Sequence, residues 1–127
     1  MHQYTSTTEG VTIAVRPIYL DGQSDALARK FVFAYFISIT NDRDEPVQLL
    51  RRQWHIVHSN GRKEEVEGEG VVGQQPTIAP GRSHEYNSFC ILETMEGYME
   101  GTYLMKRPSG EMFRVTIPRF TLRASAN

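Results

Sequence analysis

An all-β fold, an antiparallel sandwich of two sheets and about seven short strands, is what this sequence predicts. Three observations predict it. Apolar residues recur at every second position in one segment after another, and turn residues of defined chemistry separate those segments. No stretch keeps a helical period for longer than about two turns. All 6 prolines fall at strand ends or in loops, where a residue without an N–H does no harm to a ladder. A small closed barrel is the rival arrangement. At 127 residues, with no repeat or linker, the chain is expected to form one domain, 1–127.

Residues 1–9 are polar and unpatterned, which predicts a loose terminus. Val11, Ile13 and Val15 then alternate with Thr12, Ala14 and Arg16 as a half-buried strand, and Pro17 marks its edge or a bulge. Between Asp21 and Lys30 lies a polar connection in which Ser24 is placed to cap one helical turn running to Arg29. Lys30 to Asn41 is the strongest strand, with Phe31, Phe33, Tyr35, Ile37 and Ile39 on its core face. Asn41 to Pro46 is a turn, and Val47 to His58 returns with Leu50, Trp54 and Ile56 on one face. Arg52 interrupts that face, either at a wet rim or with a buried stem. Asn60-Gly61 predicts a type I′ hairpin that pairs Arg62 to Val66 back on the preceding strand. His84 to Cys90 is the next strand, and Gly97 to Lys106 with Glu111 to Ile117 form the last hairpin, continuing through Phe120 and Leu122.

Charge and composition narrow the function classes. A formal charge of −1 supplies no global field for nucleic acid or anionic lipid. The run Glu64, Glu65, Glu67, Glu69 and the cations Lys106, Arg107, Arg114, Arg119 and Arg123 read as solvated strand faces. The longest apolar run, Phe31 to Ile39, is far short of the roughly 20 residues that span a bilayer. A lone cysteine and a polar start without a signal-peptide pattern predict a cytoplasmic protein, with neither membrane nor nucleic acid as partner.

The segment Val66 to Gly81 holds 4 of the chain's 10 glycines and its Gly68-x-Gly70-x-x-Gly73 spacing. Such a spacing suits a dinucleotide loop only between a strand and a helix, and here Glu69 interrupts it and Gln74-Gln75-Pro76 follows. Two readings remain: a nest whose amides bind an anion, and a structural loop that packs Val71 and Val72 onto the sandwich, the latter preferred. His55 and His58 point to opposite faces of a strand, so no shared metal is expected unless His84 and the glutamates join one of them in space. Cys90, within Ser-Phe-Cys-Ile-Leu, reads as a small buried hydrophobe. No serine sits in a nucleophile elbow, and Glu64 and Glu65 diverge as strand neighbours, so no catalytic set emerges. Trp54 reads as the core plug of a sandwich. Tyr86, Tyr98 and Tyr103 would make a partner-binding patch if they gathered with Arg51 or Arg52 on the outside.

Trp54-x-Ile56, Asn60-Gly61-Arg62, Val66-x-Gly68-x-Gly70-Val71-Val72-Gly73-x-Gln75-Pro76, Pro80-Gly81, Tyr86, Leu92-x-Thr94, Gly97-x-Met99-x-Gly101-x-Tyr103-x-Met105 and Ile117-Pro118-x-Phe120-x-Leu122 together resemble the ApaG domain family, over about Val11 to Arg123. The resemblance implies a fibronectin type III-like or immunoglobulin-like β-sandwich and a cytoplasmic protein of unassigned activity. It also implies a link, in some bacteria, to cobalt and magnesium efflux, and a kinship with domains of F-box and polymerase-interacting proteins that look like interaction modules. The expectation is therefore a non-catalytic module without a cofactor that binds a partner protein, a second copy of the chain being one candidate. The alternative is binding of pyrophosphate or a nucleotide by the amides of Gly68, Gly70 and Gly73, and a third reading is a divalent-cation accessory protein.

Overall fold

The computed structural model describes residues 2–125. Among them, nine strands follow in chain order: β1 (Tyr4–Thr8), β2 (Val11–Tyr19), β3 (Phe31–Asn41), β4 (Val47–His58), β5 (Lys63–Glu69), β6 (Thr77–Ile78), β7 (Ser83–Leu92), β8 (Glu96–Lys106) and β9 (Met112–Arg123). Two antiparallel sheets result, β1-β2-β3-β7 and β5-β4-β8-β9, with the two-residue β6 beside the start of β4. The seven strands expected from sequence are all present; β1 and β6 are additional. In immunoglobulin lettering the seven are A-B-E in one sheet and C′-C-F-G in the other, the fibronectin type III order.

Period-two alternation puts Phe33, Tyr35, Ile37 and Ile39 of β3 into the core, opposite Tyr103 and Met105 of β8 and Phe120 and Leu122 of β9. Two bulges change which parity faces inward. On β4, Leu49 opposes Met105 but Arg51 opposes Leu104, so Leu50 is an extra residue. Val47 and Leu49 are buried before it and Trp54 after it, so Leu50 leaves the face that alternation alone assigned to it. On β9, Pro118 and Arg119 bulge opposite Glu100, and burial passes from Phe113, Val115 and Ile117 to Phe120 and Leu122. A proline is tolerated there because the ladder is already interrupted.

Three local expectations are corrected. The first concerns the terminus: Tyr4–Thr8 is a strand paired with β2, and only Met1 of the expected loose segment lies outside the described residues. Glu9 and Gly10, at φ 47° and 80°, make the two-residue turn with positive φ at both positions. Glutamate is an unusual first residue for it, so sequence chemistry does not announce the turn. Ser6 donates to the Thr116 carbonyl (2.8 Å) and the Thr116 N–H donates to Thr8 (3.2 Å), which fastens β1 against β9.

The second concerns Asn60-Gly61. The hairpin forms, but only Gly61 has positive φ, and His58 N–H donates to the Arg62 carbonyl while Gly61 N–H donates to that of His58. This is the three-residue loop with a left-handed last position, not type I′. The third is Ser24, which caps no helix: its hydroxyl donates to the Leu20 carbonyl (2.8 Å) and accepts from Val32 N–H (3.0 Å). Beyond a 3₁₀ turn at Asp21–Gln23, the connection closes as a small turn in which the Asp25 carboxylate accepts from Ala28 N–H. No helix among the described residues is long and apolar enough to cross a membrane.

Candidate functional site

One side of the sandwich is closed, where β1 and β2 pack on β9. On the other side the edge strands β5 and β7 belong to different sheets, and a cleft of about 380 Å³ opens between them. The indole of Trp54 lies at its base, edge-on to Tyr35 (5.5 Å) and Phe120 (5.9 Å) between ring centroids. Trp54 is thus the core plug the sequence suggested, and one edge of it also lines the cleft.

Arg52 stands half-buried at the rim of the cleft, the first of the two positions expected for it, with its head turned in. The same parity that buries Trp54 turns it inward, and its Nη1 donates to the carbonyls of Glu69 (3.0 Å) and Gly70 (2.9 Å). Gly68 stands opposite Arg52 in the β4–β5 ladder, and a Cβ there would come within 3.0 Å of Nη2. The glycine makes room for a guanidinium. Tyr86 and Tyr103 form no outer patch with Arg52 but adjoin it from within: Tyr103 is its cross-strand neighbour, Tyr86 lines the same cleft, and the two hydroxyls hydrogen-bond one another. Burial pushes the phenols of Tyr35, Tyr86 and Tyr103 above the ordinary tyrosine range, so all three stay neutral beside the cation. Tyr98 lies apart, with the Arg119 guanidinium 4.0 Å over its ring.

The glycine segment and the β4 bulge form one device. The Leu50 carbonyl, freed from the ladder by the bulge, accepts from Gly70 N–H (2.8 Å) and from Gln75 Nε2 (2.9 Å). Val71 and Gln74 exchange both backbone hydrogen bonds across Val72-Gly73, at φ 47° and 76°, a type I′ turn. Val71 is buried as expected, whereas Val72 is 65 % exposed and is β-branched at a left-handed position. Of the candidate anion-binding glycines, Gly68 lies in β5, Gly70 donates to Leu50, and Gly73 is at the tip of the turn. The amides of Gly70, Val71 and Gln74 are committed within the fold, and β6 rather than a helix follows.

Histidines fall as a strand dictates. His55 faces outward beside Glu65 (3.4 Å), and His58 is buried against Glu64 (2.6 Å). Glu93 N–H donates to His58 Nδ1 (3.1 Å), so the ring proton sits on Nε2 and is donated to Glu64. His84 stacks toward Tyr86. Among the described residues, no three His, Cys, Asp or Glu side chains gather as a metal set. Cys90 is 5 % exposed, and burial, with a smaller contribution from Glu64, pushes its thiol up to about 12. Its labelling by a disulfide reagent at pH 8 is expected to be more than about a hundredfold slower in the native protein than in urea. Comparable rates in the two would show that the thiol is neither buried nor deactivated.

The family model of the ApaG domain matches residues 21–107. Protein ApaG of Agrobacterium fabrum is 46% identical over 119 residues, covering 94% of this chain and 92% of that protein. Protein ApaG of Mesorhizobium japonicum is 47% identical with the same coverage. A crystal structure of an ApaA protein from Bordetella pertussis superposes with a TM-score of 0.89 at 43% identity, covering 92% of this chain and 95% of that one. Fold, motif spacing and these likenesses agree, and the chain belongs to the ApaG domain family.

Proposed function

We propose that the protein is a non-catalytic interaction module of the cytoplasm whose edge strand β7 receives an extended apolar segment of a partner protein. The observation that carries this reading is the outer strip of that edge. Phe89 and Ile91 are 60% and 51% exposed, and they pair with Ala34 and Val32 of β3, beside a half-exposed Phe36. Edge strands are ordinarily blunted by lysine, proline or a bulge, because an open ladder recruits other chains. β7 has none of these over ten residues and keeps unbroken register with β3. The neighbouring edge, β5, carries Lys63 and four glutamates. Addition of a strand to β7 would satisfy its outward N–H and C=O groups while the apolar strip is covered.

A Phe36→Asp/Ile91→Asp double variant tests this without touching the interior. A specific protein crosslinked to the wild-type chain in native lysate is expected to be lost from the variant, whose melting temperature stays within a few degrees of wild type. Sedimentation of the purified chain separates a foreign partner from a second copy. Failure to recover any specific protein, or equal recovery with the variant, would overturn the reading.

A further inference from the structure

The cleft between β5 and β7 has an uneven chemistry. Its lining is apolar or neutral except for one charged side chain, Arg52. Among the described residues, no carboxylate lies within ion-pair reach of that guanidinium: on β5, Glu64 pairs with His58 and Arg62, Glu65 with His55 and Glu69 with Arg51. Glu67, opposite Gln53, shares a small neighbouring pocket with Arg52 without pairing to it. Nη1 is the only Arg52 nitrogen with acceptors, the carbonyls of Glu69 and Gly70. Nε and Nη2, the edge that grips a carboxylate side-on, have none among the described residues. Neither nitrogen is a buried orphan, so that edge is reached by water, which a carboxylate would displace while keeping its hydrogen bonds.

Glu64, the acidic residue on the inward face of β5, stands opposite Ile56, while Gly68 stands opposite Arg52. Those four strand residues place it about 13 Å away, and it is engaged by His58. The loop that holds Nη1 in place is itself fastened to the β4 bulge through Gly70, so the guanidinium is positioned before any ligand arrives. At about 380 Å³ the cleft falls in the size range of small-molecule sites.

We infer that this cleft is a binding site for a monoanionic ligand with an apolar body, a carboxylate whose head Arg52 takes and whose tail lies on Trp54, Val66, Val71 and Met99. A dianionic phosphate fits less well, since a single cation and neutral hydroxyls face it. The carboxylate belongs either to a free small acid or to the C-terminus of a polypeptide. The cleft and the β7 strip share Phe89, but the inference does not rest on the docking reading above, because Phe36 and Ile91 lie outside the cleft lining and Phe36→Asp/Ile91→Asp leaves Arg52 in place.

The test is titration of the ¹⁵N-labelled full chain with hexanoate and 4-phenylbutyrate, with hexanamide and 4-phenylbutyramide as neutral isosteres. A tripeptide ending in leucine is compared with its C-terminal amide. Saturable shifts are expected at the Trp54 indole N–H, Val66 and Val71 with an acid, and about tenfold or weaker binding of the matching amide. Arg52→Gln is expected to lose that discrimination. Should this variant prove unstable, Val66→Phe at the half-exposed cleft wall fills the site from the rim and is expected to abolish the shifts. Response to the free acids alone identifies a small ligand, and response to the free-carboxylate peptide identifies a chain terminus. Absence of binding by every acid, equal binding of acids and amides, or binding unchanged in both variants would overturn the inference.

Discussion

Replacing Trp54 with alanine is expected to remove about 3–5 kcal/mol of stability, the range found for loss of a large aromatic from a core. Trp54 is 3% exposed and contacts Tyr35, Tyr103 and Phe120 at ring-centroid distances of 5.5, 6.4 and 5.9 Å. Those three rings come from β3, β8 and β9, so the indole bridges both sheets. The void left by alanine adjoins the cleft and fills with water only against apolar walls, so little of the loss is recovered. Because Trp54 is the chain's only tryptophan, the transition is followed by circular dichroism in urea. Domains of this size are stable by about 5–15 kcal/mol, so at the low end of that range the variant would be close to unfolding. Trp54→Phe keeps an aromatic there and should lose less than half as much. A loss below about 1 kcal/mol for alanine would show that Trp54 does not plug the core.

Gly101→Ala should approach the same size for a different reason. Gly101 lies opposite Trp54 in the β4–β8 ladder, and its φ is not in the left-handed region. The constraint there is space: a Cβ would overlap the Gln53 carbonyl oxygen and lie 3.2 Å from the Trp54 Cα. Backbone on both sides of the central ladder has to part, with an expected loss of about 3 kcal/mol or more. Gly68→Ala is the control, since the atoms it meets belong to the end of the Arg52 side chain, which can swing away. Its expected loss is about 1 kcal/mol. Equal losses for the two alanines in urea titrations would refute this ranking.

Much of the architecture was legible in the residues. Every odd position from Phe31 to Ile39 is buried, as the core face required, although Val32 and Ala34 on the other face are buried too. The glycine segment was recognisable as constrained backbone, and Cys90 as a buried hydrophobe. Less was legible wherever two chemistries compete for one position. β1 was missed because its half-buried residues, Tyr4, Ser6 and Thr8, include two that are polar, so alternation in burial is not alternation in hydropathy. Leu50 was misplaced because a bulge is invisible to a strict period of two. Tyr86 and Tyr103 were left undecided between core and surface because a phenol tolerates either environment when its hydroxyl finds a partner.

What the residues determined unaided is local: seven of the nine strands, where most turns fall, and which side of β3 and of the later half of β4 faces inward. Those properties depend on spacing along the chain, and a period of two is readable over a handful of residues. Only the tertiary structure decided that β5 and β7 leave a gap, that Gly68 stands beneath Arg52, and that Tyr86 and Tyr103 join it from the two sheets. Those partners are 16 to 51 residues from Arg52 in the chain, and the register that aligns them depends on the Leu50 bulge and on the loop docked to it. Contacts of that range follow from how whole strands pair, so no local pattern encodes them.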